Sequence, residues 1–214
     1  MPSKKIFVFS DSLGLPRNAP EIVKWSETWI QLMKSNYTLE YLSLGGATVD
    51  ELYRQSSYYK TFESDIVIVQ SGIVDCAPRA LKESEKRLIK KNRFVDQFFK
   101  KYLTKEKLAK WRDKRNIKLT PEKKFKFYIE AFHKLYGDKL FWLGILPACN
   151  DYEQSVRGIT KNIQLYNQII ELSLGPNFIC MNDFPKEGYM TDFHHLNKIG
   201  HEYITKKILA YINT

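Results

Sequence analysis

Apolar and polar positions follow two rhythms along this chain. Short apolar runs bounded by Ser, Gly or Pro predict five strands. These are Lys5 to Ser10, Thr38 to Leu44, Asp65 to Gln70, Lys139 to Leu146 and Phe178 to Met181. The core of the third, Ile66-Val67-Ile68-Val69, has no polar break and reads as covered on both faces. Between the strands, apolar residues recur at helical spacing. Ile22, Trp25, Trp29, Ile30, Leu32 and Met33 predict a helix over Glu21 to Ser35, and Thr48 reads as the N-cap of a short one. Helices are further expected over Ser84 to Leu103, Lys105 to Arg115, Pro121 to Tyr136, Ser155 to Leu174 and Leu196 to Ile212. Phe94, Phe98, Phe99 and Tyr102 form the apolar stripe of the first of these. Strands separated by helices predict an α/β fold, with five parallel strands and helices on both faces. The 214 residues read as one domain, with 82–136 a helical insertion that caps the core.

Charge changes this picture at one place. The net charge is +10, and the stretch Lys82 to Lys126 carries more than all of the excess. Such a patch raises the local concentration of anionic partners, although a solvated helical face has the same composition. Dispersed lysines on helices are a poor nucleic-acid code, so nucleic acid is not the expected partner. Cys76, Cys149 and Cys180 form no CxxC pair and fit a reducing compartment as small buried groups. No apolar run approaches the roughly 20 residues of a membrane span. The expectation is a cytoplasmic protein without membrane attachment.

The chemistry is read from the two ends of the chain. Ser10-Asp11-Ser12-Leu13-Gly14 follows the first strand, at the carboxyl edge where open α/β sheets place their sites. Asp192-Phe193-His194-His195-Leu196-Asn197 opens the last helix. A serine needs a base to take its proton, and a carboxylate to orient that base. Asp192 and His195 stand three residues apart, close enough for one tight turn to join them. His194 is an alternative base, with Asp183 its conceivable partner. Gly45-Gly46, after the second strand, lets backbone amides approach an oxyanion, and the Ser12 amide is a further donor. No histidine–carboxylate spacing calls for a metal, and no cofactor motif is present.

Ser10-Asp11-Ser12-Leu13, Leu44-Gly45-Gly46-Ala47, Ser71-Gly72-Ile73-Val74-Asp75 and Asp192-Phe193-His194-His195 occur in the order seen in the SGNH (GDSL) hydrolases. The chain resembles that superfamily over nearly its whole length apart from the basic insertion. The resemblance implies a flavodoxin-like three-layer α/β/α sandwich. It also implies a carboxylic ester hydrolase with Ser12 as nucleophile, His195 as base and Asp192 as orienting acid. Gly46 or Gly45 would join Ser12 in the oxyanion hole. Asp11, Asp75, Arg79 and Asn150 are the expected substrate-contacting residues. Two positions depart from the pattern. Ser10 stands where a glycine is usual, and Val74 stands where the family has an asparagine that donates to the oxyanion. Valine cannot donate. Arg79 or Asn150 could substitute; Arg79 could equally bind an anionic group or pair with Asp75. The expected activity is removal of a small acyl group, such as acetyl, from a carbohydrate or similar ester. The alternatives are an O-acyltransferase using the same triad, or a catalytically weak or inactive binding protein.

Overall fold

The computed structural model describes residues 4–94, 97, 102 and 104–213. Its centre is a five-stranded parallel sheet, built from β1 (Lys5–Ser10), β2 (Thr38–Ser43), β3 (Ile66–Gln70), β4 (Leu140–Leu143) and β5 (Phe178–Ile179). The spatial order is β2-β1-β3-β4-β5. Strand order therefore reverses at β1, and the crevice outside the carboxyl ends of β1 and β3 is the place such sheets reserve for ligands. Ser10 pairs in register with Ser43 on one side and Gln70 on the other, so three loops leave the sheet at one level.

Alternation along β1 makes the three layers. Phe7 and Phe9 face one side, and Ile6 and Val8 the other. On the Phe7 face pack α2 (Val49–Ser56), α3 (Ile73–Cys76), α6 (Glu122–Tyr136) and α8 (Ile159–Leu174). They contribute buried Leu52, Phe125, Phe132, Ile163 and Tyr166 to that half of the core. On the Val8 face pack α1 (Trp29–Met33) and α9 (Lys198–Ile212), through Trp29, Ile30, Met33, Ile204 and Ile208. The expected α/β/α sandwich with a five-stranded parallel sheet is thus the observed fold. Two basic helices, α4 (Glu83–Lys91) and α5 (Lys105–Arg115), lie on the surface. Arg115 ties them together through Glu85 at 2.6 Å. α6, which follows them in the basic stretch, is core rather than cap: Phe125, Ile129 and Phe132 are fully buried.

Several elements differ from the sequence expectation for local reasons. The helix expected from Glu21 begins only at Trp29. Arg17 and Val23 pair as a small antiparallel ladder, the Glu27 carboxylate caps a 3-10 turn at Lys24, and Thr28 restarts the chain as the N-cap of α1. The helix expected over Ser155 to Leu174 breaks into α7 (Asn150–Ser155) and α8, with Gly158 at φ +84° between them. The last helix starts at Lys198 because the Asn197 side chain accepts the Gly200 amide at 3.1 Å. β4 leaves the ladder after Leu143, where Asn167 takes over both polar backbone groups of Ile145. The stripe positions Phe98 and Phe99 lie outside the described residues. No helix among the described residues is long and apolar enough to cross a membrane.

Candidate active site

The turn after β1 is shaped by buried groups. Asp11 is fully buried, its amide donates to the Gln70 carbonyl at 3.1 Å, and its carboxylate accepts the Leu13 amide at 2.9 Å. That bond caps a single 3-10 turn, Ser12–Gly14, and so sets Ser12 at the head of the turn. The Trp29 indole donates to the Leu13 carbonyl at 3.1 Å and pins the turn from behind. Gly14 is required by space, since a Cβ there would stand 2.1 Å from Ser10 Oγ. Ser12 is half-buried, and among the described residues its side chain has no hydrogen-bond partner.

The far end of the chain supplies the imidazole. Phe193 adopts φ +65°, which tightens the loop so that Asp192 curls back on its own successors. Asp192 Oδ1 accepts the amides of His194 and His195 at 3.2 and 3.0 Å, and Oδ2 meets His195 Nδ1 at 2.6 Å. Burial works to raise the Asp192 pKa, but these donors hold it below the usual carboxylate range. His195 has the opposite balance. Burial pushes its pKa down to about 4 against the pull of Asp192, so the ring is neutral at pH 7. Asp192 accepts at Nδ1, which leaves the lone pair of His195 on Nε2.

That lone pair is occupied. Arg17 Nη2 donates to His195 Nε2. Arg17 lies in the loop that leaves the Ser12 turn, and the loop is fastened beside the histidine, where Glu21 accepts the Thr191 amide at 2.8 Å. His194, the alternative base, instead turns Nδ1 to the Asp192 carbonyl at 2.9 Å and stacks on Tyr152. Asp183 pairs with Lys207 at 2.6 Å and is not its partner. Beside them opens a shallow crevice of about 10 Å³, walled by Leu13, Ile73, Leu146, Tyr152, Phe193 and His194. The larger hollow, about 1100 Å³, is at the opposite, amino edge of β1 and β3, lined by Lys5, Asp65 and Lys139. Ser12, Asp192, His194 and His195 do not line it.

The other expected residues divide. Gly45 and Gly46 are exposed at the end of β2, Gly46 at φ +73°, and their amides donate to no protein acceptor among the described residues. Asp75, expected as a substrate contact, is fully buried and accepts the Val49 amide at 3.1 Å and Ser71 Oγ at 3.5 Å. It braces α2 against β3. Asp11, also expected as a contact, is buried in the same way. Burial raises these two carboxyls, Asp11 to about 7 and Asp75 to about 6. Arg79 does not pair with Asp75. Its Nη2 donates to the Val74 carbonyl at 3.5 Å, and its Nε is buried without a partner. Asn150 is exposed at the first position of α7. The ligand atoms of Asp192, His194 and His195 lie within 4.8 Å of one another. The Arg17 guanidinium on the same imidazole opposes a cation there.

Arg17 is the residue that sequence reasoning missed. A lone arginine after Pro16 carries no motif, and only the docking of its loop on Thr191 brings it to the histidine.

No protein-family model and no curated protein sequence matches the chain. Solved structures do match. A lipase/acylhydrolase from Enterococcus faecalis is similar over 98% of this chain and 95% of its own, with a TM-score of 0.65 and 13% identity. A putative lipolytic protein of the G-D-S-L family from Desulfitobacterium hafniense aligns over 97% and 99%, with a TM-score of 0.58 and 13% identity. A variant of Axe2, an acetyl-xylooligosaccharide esterase from Geobacillus, aligns over 100% and 95%, with a TM-score of 0.58 and 12% identity.

Proposed function

From a chain that has the fold of the SGNH (GDSL) lipases and esterases, we propose a serine-dependent carboxylic ester hydrolase that removes a small acyl group, acetyl in the first instance, from a carbohydrate or similar alcohol. One observation carries the reading. The Asp192–His195 pair holds a neutral imidazole whose Nε2, covered by Arg17, faces the loop from the Ser12 turn.

In this mechanism Arg17 withdraws, and Ser12 Oγ loses its proton to His195 Nε2 as it attacks the ester carbonyl. Asp192 stabilises the imidazolium that forms. The amides of Ser12 and of Gly46 or Gly45 donate to the oxyanion. His195 returns the proton to the departing alcohol oxygen, leaving an acyl-Ser12. Water then attacks the acyl carbon, giving its proton to His195, and the acid leaves as Ser12 recovers its hydrogen. Val74 supplies no third donor. Loss of one such donor elsewhere reduces turnover by about 10²–10³, so a modest kcat is expected.

The substrate class rests on two features. The small crevice favours a short acyl chain, and the basic surface of α4 and α5 favours an anionic carrier of the ester. The test is hydrolysis of p-nitrophenyl acetate and of a panel of O-acetylated sugars by the wild type and Ser12→Ala. Turnover that disappears in the variant supports the assignment; equal turnover in both refutes it.

A further inference from the structure

Arg17 has no place in the mechanism except to leave it. Its guanidinium is half-buried, and its hydrogen bond to His195 is its only side-chain bond among the described residues. No carboxylate there lies within ion-pair distance of it, although Asp192 and Asp11 attract it from farther off. Arginine offers five N–H donors in a planar fork that matches carboxylate and phosphate oxygens. A neutral imidazole satisfies one of them. The fork is therefore under-used, positively charged, and placed on the atom that must receive the Ser12 proton. A second stretch of the sequence is strongly positive as well. Residues 82–118 hold fifteen Lys and Arg against five Asp and Glu, a net of +10 that equals the charge of the whole chain.

Resting on the hydrolase reading, we propose that Arg17 is the specificity-determining residue: it binds an anionic group, carboxylate or phosphate, on the alcohol side of the ester. Exchanging the imidazole for that anion uncovers Nε2 for Ser12. With a neutral ester Arg17 must leave the base unaided; an anionic one holds it away. The backbone ladder between Arg17 and Val23, at 2.9 Å in both directions, holds the loop whatever the side chain does. Side-chain exchange then needs no rearrangement of the chain.

The test compares an O-acetylated glucuronic acid, its methyl ester and an O-acetylated glucose 6-phosphate. Wild type, Arg17→Met and Arg17→Lys are assayed, with folding checked by thermal melting. A charge-assisted bond is worth about 10- to 100-fold in kcat/KM, and the wild type should favour the anionic esters over the methyl ester by that factor. Preference for one anionic ester alone identifies its group as the one read. Arg17→Met should lose the preference and hydrolyse the methyl ester faster than the wild type, a gain that a merely structural arginine would not give. Arg17→Lys should keep part of the preference. An Arg17→Met enzyme that retains the preference, or slows all three esters alike, overturns the proposal and leaves the triad standing. If no variant hydrolyses any ester, the hydrolase reading fails, and calorimetry with glucuronate and glucose 6-phosphate decides on Arg17. Binding lost in Arg17→Met sustains the anion site; binding unchanged, or absent from the wild type, overturns it.

Discussion

The pH dependence of kcat/KM for a neutral ester should end on the acid side near pH 4, not near 6.5. This ratio reports the free enzyme, in which His195 must be neutral to act as base. Burial drives its pKa down to about 4, and Arg17 and His194 add positive charge that opposes a second one. A displacement from 6.5 to about 4 corresponds to roughly 3 kcal/mol in favour of the neutral ring. The group is active when unprotonated, so activity should hold through neutral pH and fall only as pH drops through about 4. Arg17→Met removes one of the lesser causes, and its acid limb should rise but stay below 6.5 because burial is the largest. Asp11, with a pKa near 7, is the other titrating group close to the serine. Asp11→Asn removes that titration while keeping the cap on Leu13 through its amide oxygen, so any feature near pH 7 that vanishes in this variant belongs to Asp11. Initial rates of p-nitrophenyl acetate hydrolysis between pH 3.5 and 9, with circular dichroism at each pH to confirm folding, give the profile. An acid limb at 6.5 or above that survives Asp11→Asn refutes the reasoning.

Val74→Asn should raise kcat for p-nitrophenyl acetate by about 10-fold or more with little change in KM, since a donor used only in the transition state acts on turnover. A fall in kcat would count against the oxyanion assignment. Gly14→Ala should lower stability by about 1–3 kcal/mol in denaturant melts, because its Cβ would collide with Ser10 Oγ and Ile30 Cδ1 in a packed turn; an unchanged midpoint would contradict that geometry. His201, buried and accepting the Trp29 amide at 3.1 Å, is pushed down to about 4 by burial. The unfolded chain takes up that proton first, so stability should be lost as pH falls from about 6.5 towards 4, and His201→Gln should lose less over that window. Neutralising Lys90, Lys91 and Arg93 together should raise KM for an anionic acetylated sugar and leave that for p-nitrophenyl acetate unchanged; a rise for both would place their effect elsewhere.

The sheet was legible because its strands are either apolar throughout or end at small residues. The run 66–69 reads as a strand covered on both faces, and all five strands fall within the expected stretches, with β4 ending three residues short of Leu146. The Asp192–His195 pairing was legible too, since a three-residue offset at a helix entrance leaves the carboxylate little else to reach. Boundaries set by side-chain capping were not. Thr28 and Glu27 break a pattern whose apolar spacing alone looks like one long helix, and Gly158 divides another. Burial misled at Asp11 and Asp75. Their sequence blocks place them beside the chemistry, but their oxygens point into the protein, at Leu13 and Val49. Arg17 was invisible for a further reason. Its partner is 178 positions away, and contact between them depends on how two irregular loops dock.

Every step of the proposed chemistry starts from attack by Ser12 Oγ. Exposure of the folded protein to a fluorophosphonate probe, followed by peptide mass spectrometry, tests this directly. One adduct on Ser12, absent in Ser12→Ala and strongly slowed in His195→Ala, is the expected result. A folded protein that takes up no probe, or takes it up on a residue other than Ser12, would contradict it.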